Sequence, residues 1–416
     1  MAIMKICVLG AGVVGLTSAY ALARRGHEVS VVDAHARVGQ GASLANGAQL
    51  SYSYVAPLAD ASVWRNLPKY LLHRDSPLSW RPAFDAAQWR WIARFLMACN
   101  AGASARTTAE LLRLAFFSRD CLAELQRELK LEFDLRSAGK LVMLASAAAL
   151  EAARRQVEVQ RGLGCEQQVL SSGRCVDIEP ALAASRARWS GGVYTPSEQV
   201  GDCGEFCQQL AAALALQANP VRFALDTAVD GVVMAGGRVV ALRSPAGDIG
   251  ADAFVLANGV GSVKSAAQMG FALPIYPLKG YSVTFAADPA AGLPSVSVTD
   301  LANKIVYARL GARLRVAGRV DIVGADLSLD QRRWQALARQ ARRLFPALDD
   351  GDAAAGVAPW AGLRPATPGG APIIGRTSVP NVFVNTGHGA LGWTLACGSA
   401  QLLAGVVGEV GLSGVE

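Results

Sequence analysis

Three glycines near the start of the chain, Gly10, Gly12 and Gly15, have the spacing of a phosphate-binding turn. In such a turn the first glycine adopts backbone angles that other residues avoid, the second lets the chain approach a pyrophosphate, and the third lets a helix pack closely on a strand. The pyrophosphate lies at the helix N-terminus, where backbone N–H groups lack partners. A tight turn without a ligand can have the same glycines, so the prediction depends on the surrounding elements.

Those elements have the order that a dinucleotide site requires. An apolar run at Ile6–Leu9 predicts a strand, an amphipathic helix follows and ends at Gly26, and a second strand over Val29–Val32 leads to Asp33. An acidic side chain at that point accepts a hydrogen bond from a ribose 2′-OH and repels a 2′-phosphate. The sequence therefore predicts an adenine dinucleotide and disfavours NADP.

Length, charge and cysteine usage set the outer limits. A chain of 416 residues exceeds what one hydrophobic core normally supports, so two domains are expected. The net charge of +7 comes from dispersed basic residues without a nucleic-acid motif, and we expect no nucleic-acid partner. Eight cysteines without paired CxxC motifs predict a reducing, cytoplasmic location. Cys203 and Cys207 have no histidine or second cysteine pair nearby, so no metal site is expected.

Two apolar segments imitate membrane-directed sequences. Residues 6–23 follow Lys5 and resemble a signal peptide, but cleavage there would destroy the glycine turn. Residues 377–408 contain no Asp, Glu, Lys or Arg, yet they are rich in small and polar residues. We interpret this second segment as a strand, a glycine loop and a buried helix, and we predict no transmembrane span.

Residues 58–130 predict helices, and Ala86–Cys99 has apolar residues at helical spacing. Two interpretations stand: a helix face that packs on the protein core, or a helix that lies on a membrane surface. The second would give peripheral contact with the inner face of the bacterial plasma membrane. The aromatic and basic residues concerned are Trp64, Trp80, Trp89, Trp91, Arg65, Lys69, Arg74, Arg81, Arg90 and Arg94.

The remaining pattern predicts a second sheet and a return to the first. Short β-rich runs within 131–196 and 271–323 are typical of an antiparallel sheet. A later buried run stops at Ala257-Asn258-Gly259, and a nucleotide domain that stops and restarts in this way is usual for flavoproteins. We predict an α/β fold with a discontinuous Rossmann-like FAD-binding domain and an α+β substrate domain that contains the antiparallel sheet. The first comprises residues 1–57, 197–270 and 357–416, and the second comprises 58–196 and 271–356.

Several further motifs support this interpretation, and together they resemble one family. They are Gly10–Gly15 with Asp33, Gly41–Gly47, Gly201–Cys203, Ala257–Gly259, Pro277–Ser282, Gly362–Pro365 and Asn385–Thr394. The chain resembles the D-amino acid oxidase superfamily of FAD-dependent oxidoreductases, and within it the bacterial D-amino acid dehydrogenases. The resemblance implies oxidative deamination of D-amino acids to 2-oxo acids and ammonia, with hydride transfer to flavin N5. It also implies a quinone or another respiratory electron acceptor.

The resemblance further implies which residues contact the cofactor. Relatives with covalent flavin use His or Cys near the positions of Ser43 and Leu44, so FAD is expected to be noncovalent here. A reduced flavin is negative at N1 and O2, which a glycine-lined helix N-terminus can stabilise. The expected contacts are Gly10, Gly12, Val13, Val14, Gly15, Asp33, Ala34, Ser43, Asn46, Gly47, Val229, Ala257, Asn258, Gly259, Gly387, Gly389, Leu391, Gly392, Trp393 and Thr394.

The substrate contacts follow from the chemistry of an amino acid. Its carboxylate is a fixed charge, and a planar guanidinium can bind both oxygens at once. Arg364 matches the family position for this role, and Tyr54 matches a substrate-contacting tyrosine in a mobile segment. Tyr281 is a second candidate for the carboxylate, and Lys279 faces either the flavin, a phosphate or solvent. His388 acts either as a general base or as a positioning residue, because the substrate amine can lose its proton to water.

Alternative functions share the same motifs. A D-hydroxyproline dehydrogenase, a glycine oxidase or a D-amino acid oxidase would have the same arrangement of site residues. A more distant alternative is a flavin-binding subunit that is not itself catalytic. Because no acidic residue can be assigned to a cationic side chain, we expect neutral, small to medium D-amino acids as substrates.

Overall fold

The glycine turn connects a strand to a helix, as the sequence predicts. In the computed structural model, which describes residues 3–64, 77–286, 292–348 and 356–410, β1 (Lys5–Leu9) is parallel to β2 (Glu28–Val32) and α1 (Val13–Ala23) connects them. Alternate residues of β1 enter two different apolar clusters, so both faces of this strand are covered. The run at Ile6–Leu9 is uniformly apolar for that reason.

The other described elements are distributed along the whole chain. The helices are α2 (Ala86–Ala98), α3 (Ala101–Leu129), α4 (Ala147–Arg161), α5 (Ser172–Ile178), α6 (Cys203–Ala215), α7 (Ser262–Gln268), α8 (Gln331–Leu344) and α9 (Gly392–Val410). The strands are β3 (Gln49–Leu50), β4 (Leu78–Trp80), β5 (Lys140–Leu144), β6 (Gln168–Ser171), β7 (Gly191–Thr195), β8 (Gln199–Val200), β9 (Arg222–Ala224), β10 (Gly231–Ala235), β11 (Arg238–Arg243), β12 (Ile249–Gly250), β13 (Ala253–Leu256), β14 (Tyr276–Ala286), β15 (Ser297–Asp300), β16 (Ile305–Leu310), β17 (Arg313–Ile322), β18 (Val357–Ala366), β19 (Ile373–Arg376) and β20 (Val382–Thr386).

The first large sheet has six strands in the order β19-β20-β13-β1-β2-β9. All neighbours are parallel except β19, which is antiparallel at one edge. The carboxyl ends of β20, β13, β1 and β2 therefore meet at one edge of the sheet, where parallel α/β sheets bind ligands. The predicted glycine and acidic motifs directly follow these four strands.

The second large sheet has nine strands and is mostly antiparallel, as predicted. Its order is β18-β14-β17-β16-β15-β5-β7-β6, with β4 beside β17. Two pairs, β15 with β5 and β4 with β17, are parallel. The α/β fold with an additional antiparallel sheet is thus confirmed.

The position of β18 differs from the predicted domain division. Residues 357–366 were assigned to the FAD-binding domain, but β18 pairs with β14 along its whole length in the second sheet. Pro359, Gly362 and Pro365 interrupt the strand pattern in the sequence. The two prolines are tolerated because β18 lies at the edge of the sheet. A residue without an N–H can stand there when its missing donor would have faced away from the neighbouring strand. The other domain boundaries stay a prediction.

The region 58–130 is largely helical where it is described. α2 and α3 occupy the predicted segment, and Asp85 and Asn100 cap their N-termini by accepting backbone N–H groups. Trp80 was wrongly placed in a helix, because it ends the short strand β4. Arg65, Lys69 and Arg74 lie outside the described residues.

One described helical segment, Gly389–Glu409, is long and apolar enough to cross a membrane by length and composition alone. In the structure α9 packs against α1 and α3, and 61% of the apolar window is buried inside the protein. The strand, glycine loop and buried helix predicted for residues 377–408 are therefore confirmed.

Candidate active site

A cavity of about 1380 Å³ lies at the carboxyl edge of the first sheet and extends to β14, β17 and β18 of the second. The predicted cofactor and substrate residues line it, except Gly15, which packs beneath the turn, and Lys279. The structure therefore brings the predicted residues together around one space. Their contacts with a cofactor or substrate stay predictions.

The glycine turn is sterically required at two positions. A Cβ on Gly10, whose φ is 109°, would lie 2.6 Å from the carbonyl oxygen of Ala257. A Cβ on Gly15 would lie 1.8 Å from the carbonyl oxygen of Gly10, so α1 could not approach β1. Gly12 caps α1 without a side chain, and Ser43 Oγ accepts the Val13 N–H at 3.0 Å. The rest of this helix N-terminus is open to an anion in the cavity.

Asp33 is held rigidly at the end of β2. Its Oδ2 accepts the Ala11 N–H at 2.7 Å, and its Oδ1 accepts the His35 N–H at 2.9 Å. The Thr227 N–H donates to the carbonyl oxygen of Asp33 at 2.9 Å, and Val229 lines the adjoining part of the cavity. A carboxylate fixed beside the glycine turn suits the ribose hydroxyl of an adenine nucleotide.

The second open helix N-terminus belongs to α9. A 3-10 turn at Gly389–Leu391 leads into the helix, and His388 caps it without a side-chain hydrogen bond. β20 and β2 are three strand spacings apart, or roughly 14 Å, so the two ends of the cavity suit a long ligand. The indole of Trp393 donates to the Gly201 carbonyl at 3.1 Å and packs in the core, so Trp393 contributes its backbone to the cavity wall.

Arg364 supplies a positive charge to the cavity. Its only hydrogen bond among the described residues is a long one, from Nη1 to the Arg319 carbonyl at 3.4 Å. No described carboxylate lies within 4.0 Å of this guanidinium, and the nearby Asp321 is ion-paired with Arg333. Burial lowers the pKa of Arg364 while Asp321 opposes the shift, and the group stays a cation. An anion entering the cavity would therefore meet an available guanidinium.

Tyr54 lines the cavity and its phenol stays protonated. Burial raises its pKa above the usual value, and the negative charge of Glu198 adds to the shift. Tyr52, the neighbouring tyrosine in this segment, is fully buried and donates to Gln199 Oε1 at 2.8 Å. The structure thus separates a tyrosine facing the cavity from one that packs.

Tyr281 and Lys279 extend from the other face of β14. Leu278 pairs with Arg364, so its side chain and the open position at Gly280 are on the face of Arg364. The Tyr281 hydroxyl instead donates to Asp321 Oδ2 at 3.0 Å, and Lys279 Nζ lies 3.3 Å from Asp326 Oδ2. The Tyr281 hydroxyl is therefore already engaged by a carboxylate of the protein. Lys279 is buried and does not line the cavity, so the solvent interpretation is wrong, while contact with flavin or phosphate stays a prediction.

His388 is buried and Nε2 lies 3.1 Å from Ser399 Oγ in α9. Burial lowers its pKa to about 4, so the imidazole is neutral at neutral pH. A group with so low a pKa is a weak base, and its contact with Ser399 holds the turn before α9. Of the two interpretations, the geometry favours the positioning role.

Lys140 was not singled out from the sequence. It begins β5, is 5% exposed, and lines the cavity beside Tyr54. Its Nζ donates to Gln49 Oε1 at 3.0 Å and to Ser51 Oγ at 2.8 Å. A single lysine before an apolar run carries no spacing signal, so the sequence indicated only a strand there.

An apolar lobe of the cavity lies between α2, β4 and β14. Trp91 anchors one wall, because its Nε1 donates to the Ala366 carbonyl at 2.8 Å. The lobe is lined by Leu58, Val63, Leu78, Trp80, Trp89, Trp91, Ile92, Phe95, Leu96, Leu278 and Ile322.

No group of three or more His, Cys, Asp or Glu residues positioned for a metal occurs within the described ranges.

A parallel sheet with a glycine turn, a fixed carboxylate after β2 and two open helix N-termini defines a dinucleotide-binding protein. A model of the family described as FAD dependent oxidoreductase matches residues 5–406, and the chain belongs to this family. The site fits FAD, because the two helix N-termini can stabilise its anionic groups and the Gly10 turn leaves room for its pyrophosphate. The protein is accordingly an FAD-dependent oxidoreductase.

Curated relatives and solved structures agree with this assignment. The chain is 47% identical to D-amino acid dehydrogenase 2 of Ralstonia nicotianae over 410 residues, which covers 97% of this chain and 96% of the relative. It is 45% identical to D-amino acid dehydrogenase 2 of Pseudomonas aeruginosa over 406 residues, or 97% and 95% of the two chains. The glycine oxidase of Geobacillus kaustophilus has the same fold, with a TM-score of 0.77, 23% identity, and coverage of 98% and 95%.

Proposed function

We propose that this protein oxidises D-amino acids to 2-oxo acids and ammonia and passes the electrons to a quinone or another respiratory acceptor. The observation that most supports a substrate with a carboxylate is the available guanidinium of Arg364 in the wall of the cavity that fits FAD. The names of the relatives, D-amino acid dehydrogenases at 39% to 47% identity, support the reaction and the D configuration.

The residues of this chain bind and orient, while FAD supplies a two-electron acceptor when bound. The N-terminus of α1 would hold the pyrophosphate, Asp33 the ribose, and the N-terminus of α9 the pyrimidine end of the flavin. Arg364 would hold the substrate carboxylate through two parallel hydrogen bonds, which fixes the α-carbon. Tyr54 would cover the substrate, and neutral His388 would hold the α9 turn without accepting the amine proton.

The acceptor is proposed on the character of the apolar lobe. A quinone ring is flat and apolar, and the lobe presents aromatic and aliphatic side chains from α2, β4 and β14 to the cavity. Water-filled polar space would suit such a ring less well. The same lobe also gives room for an uncharged substrate side chain.

We also propose a cytoplasmic location with peripheral contact at the inner face of the plasma membrane. Trp89 and Met97 of α2 are exposed, and Arg90 and Arg94 are exposed on the same helix. Exposed apolar and basic side chains on one helix suit a surface of anionic lipid. All eight cysteines are free thiols in the structure, which is consistent with a reducing compartment.

The reaction is tested on the isolated protein without oxygen. The purified protein should be yellow and release its flavin as FAD on acid precipitation. D-alanine and other neutral D-amino acids should bleach the flavin stoichiometrically, whereas their L enantiomers should not. Bleaching by glycine or a hydroxyproline alone would favour a sibling activity, and no bleaching by any amine would favour a non-catalytic subunit.

The acceptor and the membrane contact need separate measurements. Turnover with a quinone analogue should be faster than with oxygen, and hydrogen peroxide formed at the rate of the 2-oxo acid would identify an oxidase instead. The protein should float with vesicles that contain anionic phosphatidylglycerol. W89S/M97S should weaken this flotation without changing FAD content, and flotation of the variant at the wild-type level would exclude α2 as the contact.

A further inference from the structure

The buried cation Lys140 lies close to the residues assigned to the flavin. Gln49 and Ser51, which accept hydrogen bonds from its Nζ, line the same cavity. The Ser51 N–H donates to Thr394 Oγ1 at 3.2 Å, and Thr394 is in the first turn of α9. Two hydrogen bonds therefore connect the Lys140 ammonium to the helix N-terminus that faces the cavity.

The charge of Lys140 is not cancelled by an ion pair. No carboxylate of the described residues lies within 4.0 Å of Nζ, and the titratable groups that face it are Glu198 and Tyr54. Its neighbours across β5, Ser297 and Thr195, do not titrate in the physiological range. The Lys140 ammonium lies 4.8 Å from the centre of the Tyr54 ring, which attracts it but leaves its net charge unchanged.

We propose that Lys140 is a positioning and electrostatic residue whose positive charge raises the reduction potential of the bound flavin and fixes the Tyr54 ring at the substrate side of the cavity. The charge requirement follows from the reaction. A D-amino acid with a neutral amine gives a hydride to flavin N5, so the substrate becomes an iminium carboxylate and the flavin gains one negative charge. A cation fixed beforehand in a buried site stabilises that charge without reorganisation.

The inference rests on the FAD site and does not depend on which amine is oxidised. For this reason sulfite is a suitable probe of the holoenzyme. Its sulfur lone pair forms a bond to N5 of the oxidised flavin, the electrons of the N5–C4a double bond move into the ring, and the adduct carries the negative charge. No substrate or acceptor is needed, so failure of the D-amino acid proposal and failure of this one give different results.

The decisive comparison is between K140M, which removes the charge at similar size, and K140R, which keeps it. A unit charge about 10 Å away at an effective dielectric constant near 20 changes the stability of another charge by roughly tenfold. K140M should therefore bind sulfite about tenfold more weakly and have a potential lower by about 30 mV for a two-electron couple. K140R should stay within about threefold of wild type, and K279M, which neutralises a buried lysine outside the cavity lining, should not change sulfite binding.

The pH dependence gives an independent test of the charge. Desolvation lowers the pKa of Lys140 to about 8, so the ammonium is present below that pH and is lost above it. The ratio of sulfite affinities, wild type to K140M, should be largest near pH 7 and fall toward one by pH 10. Equal affinities in wild type and K140M, a ratio that does not change with pH, or equal weakening in K140M and K140R would overturn the proposal.

Discussion

The Arg364 guanidinium lies directly over Gly280 of the neighbouring strand β14. A Cβ on Gly280 would come within 2.5 Å of Arg364 Nη2 and 2.7 Å of its Cζ. A side chain at position 280 would therefore displace the guanidinium from this position. This contact connects a motif found in the sequence, Pro277–Ser282, to the arginine proposed to bind the substrate.

Replacing Arg364 should cost substrate binding and leave the cofactor in place. R364A removes a charge-assisted, two-pronged contact worth roughly 2–5 kcal/mol, or about 30- to 4000-fold in kcat/KM. R364K should recover little, since a flexible point charge does not reproduce the guanidinium fork. FAD content and Tm should stay near wild type. If R364A oxidises D-alanine within about threefold of wild type at subsaturating substrate, the carboxylate is held elsewhere.

G280A should affect the substrate by moving Arg364. Because the added methyl overlaps the guanidinium, Arg364 must shift, and a misplacement of about 1 Å can cost roughly 100-fold. We expect kcat/KM to fall at least about tenfold while FAD content stays at the wild-type level. G250A is the matched control, because its methyl would be 3.6 Å from the nearest atom in a strand outside the cavity lining. An unchanged kcat/KM in G280A would show that Arg364 has no fixed role.

The positioning role of His388 predicts a mild kinetic effect and a measurable stability effect. H388Q keeps a side chain that can hydrogen-bond to Ser399, so kcat/KM should stay within about tenfold, whereas loss of a general base costs roughly 100- to 10,000-fold. A fall in that larger range, with loss of the acid limb of the pH profile, would restore the base assignment.

The same histidine should make unfolding pH-dependent. The pKa of His388 is about 4 in the folded protein and near 6.5 when unfolded, so the unfolded chain binds the proton first as pH falls. The free energy of unfolding should therefore be unaffected by this histidine above pH 6.5. Between pH 6.5 and 4 it should fall by about 3 kcal/mol. Denaturant unfolding of wild type and H388Q should diverge across that window. Parallel pH profiles would contradict the buried neutral state.

G10A should abolish FAD binding. The new methyl would overlap the Ala257 carbonyl at 2.6 Å, in a backbone conformation with φ of 109° that alanine avoids. The purified variant should contain less than about a tenth of the wild-type flavin, measured by absorbance after acid release. G26A places the same strain, at φ of 87°, where no atom lies within 4 Å, and it should remain yellow. Full flavin content in G10A would move the pyrophosphate away from this turn.

Local motifs predicted the dinucleotide half of the molecule because strand, turn and helix are adjacent in the sequence. Gly10 and Asp33 could be assigned for that reason, and α9 could be recognised from its composition. To predict the substrate half, one must know on which face of its strand each side chain lies. Tyr281 and Arg364 both belong to predicted motifs, but only the register of β14 with β18 puts them on opposite faces.

Lys140 shows a second limit of sequence interpretation. The role proposed for it depends on Gln49 and Ser51, which are distant in the chain, and on the lack of a carboxylate within 4.0 Å among the described residues. The sequence around residue 140 contains no pattern that would indicate either of these features. A buried polar group is recognised as unusual only when its surroundings are known, because most lysines are exposed.

The edge strand β18 also connects the second sheet to the turn that precedes α9. Arg364 is in this strand, and Ala366 at its end forms a backbone bridge with His388, immediately before α9. Arg364 is thus only two residues of extended chain away from the backbone bridge to the turn before α9. The proposed substrate contact at Arg364 and the proposed flavin contacts at the start of α9 are therefore coupled through a short length of backbone. With these two contacts coupled, we expect selection among amino acids to depend on how well a side chain fits the remaining space of the cavity.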